Sequence, residues 1–491
     1  MRRALALPLF LACAAAGAQT ITRIDDASLA TAAQLRDRAM IKSEAYFILE
    51  TLTTEVGSRM AGSPGDARAV AWARTKFAEL RFDKVWTEPV TYPVWVRRAE
   101  SAEIVAPFSH KLTLTALGAS SGTGRKPIEA EVVEYATLDA LKAARPEDVR
   151  GRIVFIGNRM QRAKDGSGYG PAVGARTKGA AVAAKLGARA LLIRSIGTDD
   201  ERLPHTGVAV SRGELLADAE AMKAAKRTRS GLPILETPIP AAALSNPDAD
   251  LLSRVLERSQ PVRLRLMLDV GYEGEYTSAN VIGEITGSEK PDEIVLLGAH
   301  LDSWDLGTGA IDDGAGVAIT MAVGDLLKRA GVVPKRTIRV VAFANEEAGV
   351  YGGAAYAEAH KGEIAKHVIA AESDFGSGRV WRLSSKVKPE ALVAIDQMMQ
   401  VLAPIDIVRG SNAAGGGADV GPMEKHGLAV ASLDQDGTKY FDLHHTANDT
   451  LDKVDAKDLD QNVAAWVVFA YLAAQADGDF GSGTLAQNPA K

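Results

Sequence analysis

The stretch GAHLDSWDLGTGAIDDGAG, residues 298–316, contains the residue types of two different kinds of site. Its glycines are typical of a loop that holds phosphate groups, whereas its one histidine and four aspartates are typical of a metal site. A dinucleotide fingerprint requires a third glycine after Gly307 and Gly309, and Asp312 stands in that position. Because a carboxylate would repel a pyrophosphate, the stretch predicts a metal site and argues against a nucleotide.

Acidic and imidazole residues also follow other apolar runs that the sequence predicts to be strands. In an open α/β sheet, the carboxyl ends of the strands border one crevice, and ligands collect there. We therefore expect residues from separate chain segments to converge on this edge of the sheet. The set consists of His300, Asp302, Asp312, Asp313, Glu346, Glu347, Asp374, His444 and His445.

The donor atoms of this set are oxygen and imidazole nitrogen, which favours zinc or a similar divalent ion. Two ions that share one carboxylate would polarise a carbonyl group and activate water. Neighbouring side chains on an extended segment point in opposite directions, so one of Glu346 and Glu347 can coordinate while the other accepts a proton. For the same reason, His444 and His445 should not both reach the metals.

The elements that must position these residues alternate between strand and helix patterns from Ser278 onward. This alternation predicts an α/β sheet with helices on both faces. Segment 118–274 has the pattern of a separate β-rich unit with one alanine-rich helix, and its histidine, His205 of LPHTG, is expected in a loop. We therefore predict one catalytic domain, 43–117 plus 275–476, interrupted by an inserted β-rich domain.

The two ends of the chain differ from the rest. Residues 1–18 have two arginines, an apolar run and a small-residue end, which predicts a secretory signal peptide and a secreted or periplasmic protein without a membrane anchor. Cys13 is the single cysteine and leaves with the signal peptide, so the mature chain has no disulfide and no thiolate ligand. We predict a lead-in or pro-segment at 19–42 and a flexible tail at 477–491.

The overall composition is that of a globular protein with no preference for nucleic acid. Hydrophobic residues make up 46% and charged residues 24% of the 491 positions. Loss of Arg2 and Arg3 with the signal peptide leaves 55 basic and 62 acidic residues, a formal net charge of −7. This mildly acidic balance, without a basic tract, argues against a nucleic-acid partner.

Several motifs together resemble a known family. They are VGSRMAGSPG, EPVTYPVW, RTKGAAVAAKLGARALLIRS, PHTG, the 298–316 stretch, ESDFG and YFDLHHTANDT. The chain resembles the di-zinc exopeptidase family that includes bacterial aminopeptidases and glutamate carboxypeptidases, above all its carboxypeptidase Q-like branch. The resemblance implies a zinc-exopeptidase-type three-layer α/β/α mixed sheet, with segment 118–274 as an inserted protease-associated domain.

The resemblance also implies two Zn²⁺ ions per chain and the residues that bind each ion. His300 and Asp374 would bind one ion, and Glu347 and His445 would bind the other. Asp312 would bridge the two ions. His445, rather than the histidine before it, fits the H-T-x-x-D-T register of the family.

Further roles follow from the same resemblance. Glu346 would be the general base and then the proton donor, and Asp302 would orient the imidazole of the first zinc ligand. Tyr440 is either a donor to the oxyanion or a packed strand tyrosine. Gly416, within Gly415–Gly417, either lets the substrate backbone approach or belongs to a flexible loop. Asp449 is expected to cap a turn.

The predicted function is hydrolysis of dipeptides or short peptides by a metallocarboxypeptidase or dipeptidase. A di-zinc aminopeptidase is the alternative, because the zinc ligands do not determine which terminus is recognised. A metal-free, receptor-like binding protein and a single-zinc acyl-transferring cyclase are more remote alternatives. A homodimer is one option for the oligomeric state.

Overall fold

The computed structural model describes residues 21–258 and 261–485 as an α/β fold. Its helices are α1 (Asp26–Ile41), α2 (Ala45–Thr51), α3 (Pro64–Glu79), α4 (Leu138–Lys142), α5 (Pro146–Val149), α6 (Tyr169–Lys185), α7 (Arg212–Ala217), α8 (Ala219–Ala224), α9 (Asn246–Arg258), α10 (Ala315–Ala330), α11 (Tyr351–His360), α12 (Leu392–Leu402), α13 (Gly421–Glu424), α14 (Tyr440–Leu443) and α15 (Ala456–Gln475). Its strands are β1 (Lys84–Ala106), β2 (His110–Leu112), β3 (Leu114–Ala116), β4 (Ile128–Tyr135), β5 (Ile153–Ile156), β6 (Ala190–Arg194), β7 (Ala241–Leu244), β8 (Arg263–Ile285), β9 (Lys290–His300), β10 (Arg336–Phe343), β11 (His367–Glu372), β12 (Val380–Lys386), β13 (Val408–Arg409) and β14 (Val430–Gln435).

The strands that lead to the predicted site residues belong to a mixed sheet. The order in this part is β13, β12, β14, β11, β9, β10 and β8. Strands β14, β11, β9 and β10 run parallel, whereas β12 and β8 are antiparallel to their neighbours β14 and β10. The register pairs Phe343 of β10 with His300 of β9, so both strands end at the same edge. That edge is where the predicted site residues emerge.

Alternate residues of the central strands pack into two hydrophobic cores, because successive side chains point to opposite faces of a sheet. Val295 and Leu297 of β9 pack with helices α1, α2, α3, α10, α12 and α15. Leu296 and Val341 instead pack on the opposite face with α11 and α13, including Tyr356. The structure confirms the predicted three-layer α/β/α arrangement around a mixed sheet.

Local sequence signals define the ends of several helices. Ser63 precedes α3, and its hydroxyl accepts hydrogen bonds from the backbone N–H groups of Gly65 and Asp66, while Pro64 occupies the first helical position. Gly331 follows the last residue of α10, and its φ of 66° is in the left-handed region that favours glycine. These signals mark the first turn of α3 and the last turn of α10.

A long two-stranded ribbon joins the two groups of strands. β1 and β8 pair antiparallel, and residues 263–266 of β8 also pair with β4, whereas residues 281–285 pair with β10. Beyond β4, strands β5, β6 and β7 run parallel and β3 pairs antiparallel with β7. The described residues of segment 118–274 form six helices, α4 to α9, rather than the single one expected. Its proposed end falls inside β8, and its assignment as a protease-associated domain stays a prediction.

The described ends of the chain pack into the hydrophobic core that also contains Val295 and Leu297 of β9. In the predicted lead-in, 19–42, helix α1 buries Leu35 against α15 and its neighbours. We expected a flexible tail from residue 477, yet its described part, 477–485, buries Phe480 completely. The predicted signal peptide, 1–18, lies outside the described residues. In the part of the chain that the structure describes, every helix is too short or too polar to span a membrane.

Candidate metal centre

The chain after β9 folds back so that Asp312 returns to the ring of His300. Nε2 of His300 lies 2.9 Å from one carboxylate oxygen of Asp312 and 3.4 Å from an oxygen of Asp374. Asp374 follows β11, which is the parallel neighbour of β9, so the two strand ends place both residues at the same edge. The three donor atoms lie within 4.8 Å of one another and could hold one metal ion.

A second group of donors uses the other carboxylate oxygen of Asp312. Nε2 of His445 lies 3.0 Å from this oxygen and 3.0 Å from an oxygen of Glu347. These donor atoms also lie within 4.8 Å of one another. Asp312 therefore faces two imidazoles with its two oxygens, as a bridging carboxylate would. The five residues that the resemblance implied as ligands are thus together, in the two predicted groups.

Two further aspartates hold the backbone around Asp312. The chain is not helical at Asp312, where φ is −128° and ψ is 97°, and the peptide bond to Asp313 is cis. The carboxylate of Asp313 accepts a hydrogen bond from the backbone N–H of His300 at 3.1 Å. The carboxylate of Asp449 accepts hydrogen bonds from the N–H groups of Ile311 at 2.5 Å and Asp312 at 3.3 Å. Asp449 therefore caps the turn that carries the predicted bridge.

Glu346 and Glu347 lie in a turn after β10 rather than on an extended segment. Asn345 adopts a φ of 55° directly before them, which changes the direction of the chain. The carboxylate of Asp302 accepts the N–H groups of Glu346 at 2.9 Å and Glu347 at 3.3 Å. Nδ1 of His300 is 3.0 Å from the backbone carbonyl of Asp302 and 3.5 Å from its carboxylate. Asp302 thus contacts both the imidazole and the backbone of the glutamate pair.

The segment that contains the two histidines is a short helix and a turn, not a strand. Tyr440 begins α14, and the ring of His444 stacks on it with 4.7 Å between the ring centroids. His445 follows with a φ of 60°, and its ring centroid is 4.2 Å from that of His444. Only His445 belongs to a donor group among the described residues. The prediction that only one of the two histidines reaches the metals assumed an extended strand, and the structure has a helix and a turn instead. His444 nevertheless lies outside both donor groups.

Burial and neighbouring negative charges raise the pKa values of both glutamates at the centre. Burial raises the pKa of Glu347 to about 7, the charge of Asp312 adds to the rise, and His445 opposes it. Burial also raises the pKa of Glu346 well above its usual value, and the charges of Asp374 and Glu347 raise it further. A divalent cation would relieve this repulsion between like charges.

A cavity of about 980 Å³ opens onto both donor groups. Asp312, Glu346 and Tyr440 line it, and so does Arg176 of helix α6 in segment 118–274. Gly416 instead lines a neighbouring cavity of about 240 Å³. The metal centre and part of segment 118–274 therefore border one space that is large enough for a small peptide.

The position of Gly416 has a packing explanation. A Cβ atom at this residue would lie 2.6 Å from a side-chain atom of Val420 and 2.7 Å from one of Val430. Only glycine fits against these two valines without a shift of its neighbours. The neighbouring cavity shares Asp374 and Phe375 with the larger one. A contact between Gly416 and substrate stays a prediction.

Known proteins are similar to this chain in sequence and in architecture. Residues 280–470 match the description Peptidase family M28. The chain is 34% identical to carboxypeptidase Q of Bos taurus and 33% identical to that of Homo sapiens, in each case over 433 residues, 88% of this chain and 86% of the relative. The chain belongs to peptidase family M28. Its similarity to carboxypeptidase Q over most of its length confirms the resemblance predicted from the motifs.

Solved structures agree with this membership. A Peptidase M28 precursor from Shewanella amazonensis is 44% identical, with a TM-score of 0.85 over 95% of this chain and 100% of that one. A zinc aminopeptidase from Bacillus subtilis, 20% identical, has the same fold with a TM-score of 0.62 over 90% of this chain and 98% of that one. This M28 chain is a zinc-dependent peptidase, as predicted.

The residues of this M28 chain fit zinc. Histidine nitrogens and carboxylate oxygens are the donors that zinc takes when thiolates are absent. Oε1 of Glu347 is buried and has no hydrogen-bond partner among the described residues, although the other oxygen contacts His445. A carboxylate oxygen left in this state costs free energy unless a cation is bound. The donor set and this orphaned oxygen both agree with a bound metal.

Sequence reasoning missed Arg59, which holds the loop of the metal centre in place. Arg59 is fully buried, and its guanidinium donates to the carbonyls of Leu301 at 2.7 Å, Thr308 at 2.6 Å and Gly309 at 2.9 Å. Burial lowers the pKa of Arg59, and the charge of Asp449 raises it. The sequence shows a charged residue inside the GSRMAGS turn, but its neighbours in the chain do not indicate which distant carbonyl groups it contacts.

Sequence reasoning also missed Arg176, a buried cation that lines the large cavity. Its Nη2 donates to the hydroxyl of Tyr169, and Nη1 lies 3.5 Å from the carbonyl oxygen of Thr206. Nε is buried without a hydrogen-bond partner, and no carboxylate forms an ion pair with Arg176 among the described residues. A buried guanidinium without a carboxylate partner is unusual, because buried charges are normally paired.

Proposed function

We propose that this chain is an exported di-zinc exopeptidase that hydrolyses dipeptides or short peptides and recognises their free carboxyl terminus. The observation that carries the proposal is Arg176, a guanidinium without an acidic partner in the cavity that opens onto both donor groups. Guanidinium groups bind carboxylates through paired, charge-assisted hydrogen bonds. A substrate carboxylate would supply the partner that the fold does not.

The metal centre would hold two zinc ions. His300 and Asp374 would hold one, Glu347 and His445 would hold the other, and Asp312 would contact both with its two oxygens. Bound zinc supplies Lewis acidity that polarises the scissile carbonyl and lowers the pKa of water. Asp302 would keep the ligands in register, because it contacts both the imidazole of His300 and the glutamate backbone.

Glu346 is the proposed proton carrier. It lines the cavity beside both groups, and it belongs to neither of them. Its raised pKa suits a carboxylate that accepts the proton of the attacking water and then gives it to the departing amine. The water oxygen bonds to the carbonyl carbon, the carbon–nitrogen bond breaks, and the amine leaves with the proton from Glu346.

Tyr440 is the proposed donor to the oxyanion. Burial raises the pKa of Tyr440 well above its usual value, and the charges of Asp312 and Asp374 add to the rise. The phenol therefore keeps its proton and can donate a hydrogen bond. Its position in the large cavity supports this role over that of a packed tyrosine.

Blocked dipeptides test the recognition of the carboxyl terminus. We expect zinc-loaded protein to cleave N-acetylated dipeptides with a free carboxyl group and to leave dipeptide amides largely intact. Cleavage of the amides alone would instead make the chain an aminopeptidase. This second function shares the metal centre, and Arg176, which has no carboxylate partner among the described residues, argues against it.

The variant Arg176→Gln tests the residue itself. Loss of a charged hydrogen-bond partner should lower kcat/KM for free-carboxyl substrates about 10- to 100-fold, mainly through KM. Arg189→Gln is the matched control, because Arg189 lies on the surface of the same segment and donates to the carbonyl of Glu129. Equal losses on free-carboxyl and amide substrates would refute the assignment of Arg176.

A further inference from the structure

The turn His205–Gly207 contacts the metal centre, although its sequence predicted a simple loop. The N–H of Thr206 donates to the backbone carbonyl of His445 at 3.0 Å. In return, Nδ1 of His445 lies 3.4 Å from the carbonyl oxygen of Thr206. The other ring nitrogen of His445 faces Asp312 and Glu347. The turn therefore contacts the imidazole on the side opposite the donor group.

Gly207 brings a second functional side chain to the same turn. Its φ is 124°, and a Cβ atom there would lie 2.3 Å from Nη1 of Arg176 and 2.9 Å from Nδ1 of His445. The carbonyl of Thr206 also lies 3.5 Å from Nη1 of Arg176. One peptide unit therefore contacts both the proposed zinc ligand and the proposed carboxylate-binding residue.

The turn is held firmly by the elements around it. Its first N–H, from His205, donates to the hydroxyl of Ser195, which follows β6. The hydroxyl of Thr206 donates to the carbonyl of Ala116 at 2.9 Å and accepts a hydrogen bond from Arg97 at 3.0 Å. A turn with this many anchors can fix the position of what it contacts.

Arg97 connects the turn to the 298–316 stretch. Its guanidinium forms two hydrogen bonds with the carboxylate of Asp305, at 2.9 Å and 3.1 Å. Asp305 lies between His300 and Asp312 in the chain. The turn is therefore linked directly to His445 and, through Arg97, to the 298–316 stretch.

We propose that the turn His205–Gly207 is a positioning element of the active site. It sets the ring of His445 and the guanidinium of Arg176 at a fixed separation, so that a carboxylate on Arg176 places the scissile bond at the metals. The inference rests on the proposed function, because it requires zinc at His445 and a carboxylate at Arg176. Segment 118–274 would then contribute to catalysis.

The variant Gly207→Ala tests the proposal, with Gly231→Ala as its control. Gly231 belongs to the same segment and has a φ of 95°, but a Cβ there would meet no atom within 4 Å. The control therefore carries a similar backbone strain without the contacts to Arg176 and His445. Zinc affinity is measured by chelator competition, and kinetics are measured on free-carboxyl dipeptides.

We expect Gly207→Ala to bind the zinc at Glu347 and His445 about 10- to 100-fold less tightly, as variants beside metal ligands do. We also expect KM to rise for free-carboxyl dipeptides, while Gly231→Ala keeps wild-type zinc affinity and KM. A Gly207→Ala protein that folds and matches the control in both measurements would overturn the proposal.

A second pair of variants covers the case in which Gly207→Ala does not fold. Thr206→Val keeps the shape of the side chain but removes the hydroxyl that contacts Ala116 and Arg97, whereas Thr206→Ser keeps it. We expect zinc affinity to fall about 10-fold in Thr206→Val and to stay within about twofold in Thr206→Ser. Wild-type affinity in both variants would also overturn the proposal.

The wild-type protein separates the two proposals. If it binds no zinc and cleaves no peptide, the proposed function fails. If it binds two zinc ions and cleaves free-carboxyl dipeptides while the Gly207 and Thr206 variants behave like their controls, only the positioning role fails.

Discussion

At the scale of the residue, two adjacent glutamates have different surroundings. Glu347 contacts His445 and belongs to a donor group, whereas Glu346 lines the cavity outside both groups. The positive φ of Asn345 and the two hydrogen bonds to Asp302 set this difference. Because both residues are glutamates, the turn that directs their side chains determines which one joins a donor group.

We predict that Glu346→Gln lowers kcat about 100- to 10,000-fold, the usual contribution of a general acid or base. Zinc content should stay at the wild-type level, because Glu346 belongs to neither donor group. Single-turnover kinetics and metal analysis check the two parts. Glu358→Gln, an exposed glutamate on α11, is the control for loss of one charge. A Glu346→Gln enzyme with more than a tenth of wild-type activity would reject Glu346 as the proton carrier.

At the scale of the element, the loop from β9 to α10 depends on contacts from outside itself. It contains no regular strand or long helix between His300 and Ala315, so its carbonyl groups need other donors. Arg59 supplies hydrogen bonds to three of them, and Asp449 accepts two N–H groups of the same loop. The geometry of Asp312 is therefore a property of distant chain segments.

We predict that Arg59→Met lowers the free energy of unfolding of the metal-free protein by at least about 3 kcal/mol, because several buried carbonyls lose their donor. Excess zinc should recover part of this loss, because zinc binds the folded loop. Urea unfolding with and without zinc checks both effects. Arg68→Met, an exposed arginine with one bond to the carbonyl of Val56, should change stability by less than about 1 kcal/mol. Equal effects of the two substitutions would contradict the role of Arg59.

At the scale of the whole molecule, the metal centre lies where several buried carboxylates meet. Burial raises the pKa values of Glu346, Glu347 and Asp374, and neighbouring negative charges contribute to each rise. Without a cation, folding must either protonate these groups or keep their charges close together. Zinc would therefore stabilise the fold as well as supply the chemistry.

We predict that removal of zinc by a chelator lowers Tm by about 5 °C. Each site contributes about 2.7 kcal/mol when zinc is present at 100 times its Kd, and two sites in a protein of this size give that shift. Scanning calorimetry of the chelated and zinc-reloaded protein is the measurement. His445→Ala should show about half of the shift, because one of the two donor groups is incomplete. An unchanged Tm after complete removal of the metal would contradict this view.

The sequence by itself was enough for the chemistry and the fold class. Strand ends can be located from local apolar runs, and the edge of a parallel sheet collects whatever follows those ends. Strand ends brought nine candidate residues together, and the family resemblance then implied five of them as ligands, namely His300, Asp312, Glu347, Asp374 and His445. The three-layer arrangement followed from alternation of strand and helix patterns, which is also a local property.

Only the tertiary structure decided which other residues serve the site. Arg59 meets Gly309 across 250 positions, and Thr206 meets His445 across 239. Contacts of this kind leave no periodic or local pattern, and an arginine or a Pro-His-Thr-Gly turn has many ordinary uses. The backbone at Asn345 and His445 was also unpredictable, because tertiary packing holds both residues at positive φ. Residue types and strand order therefore determined the reaction, and long-range packing determined how its groups are held.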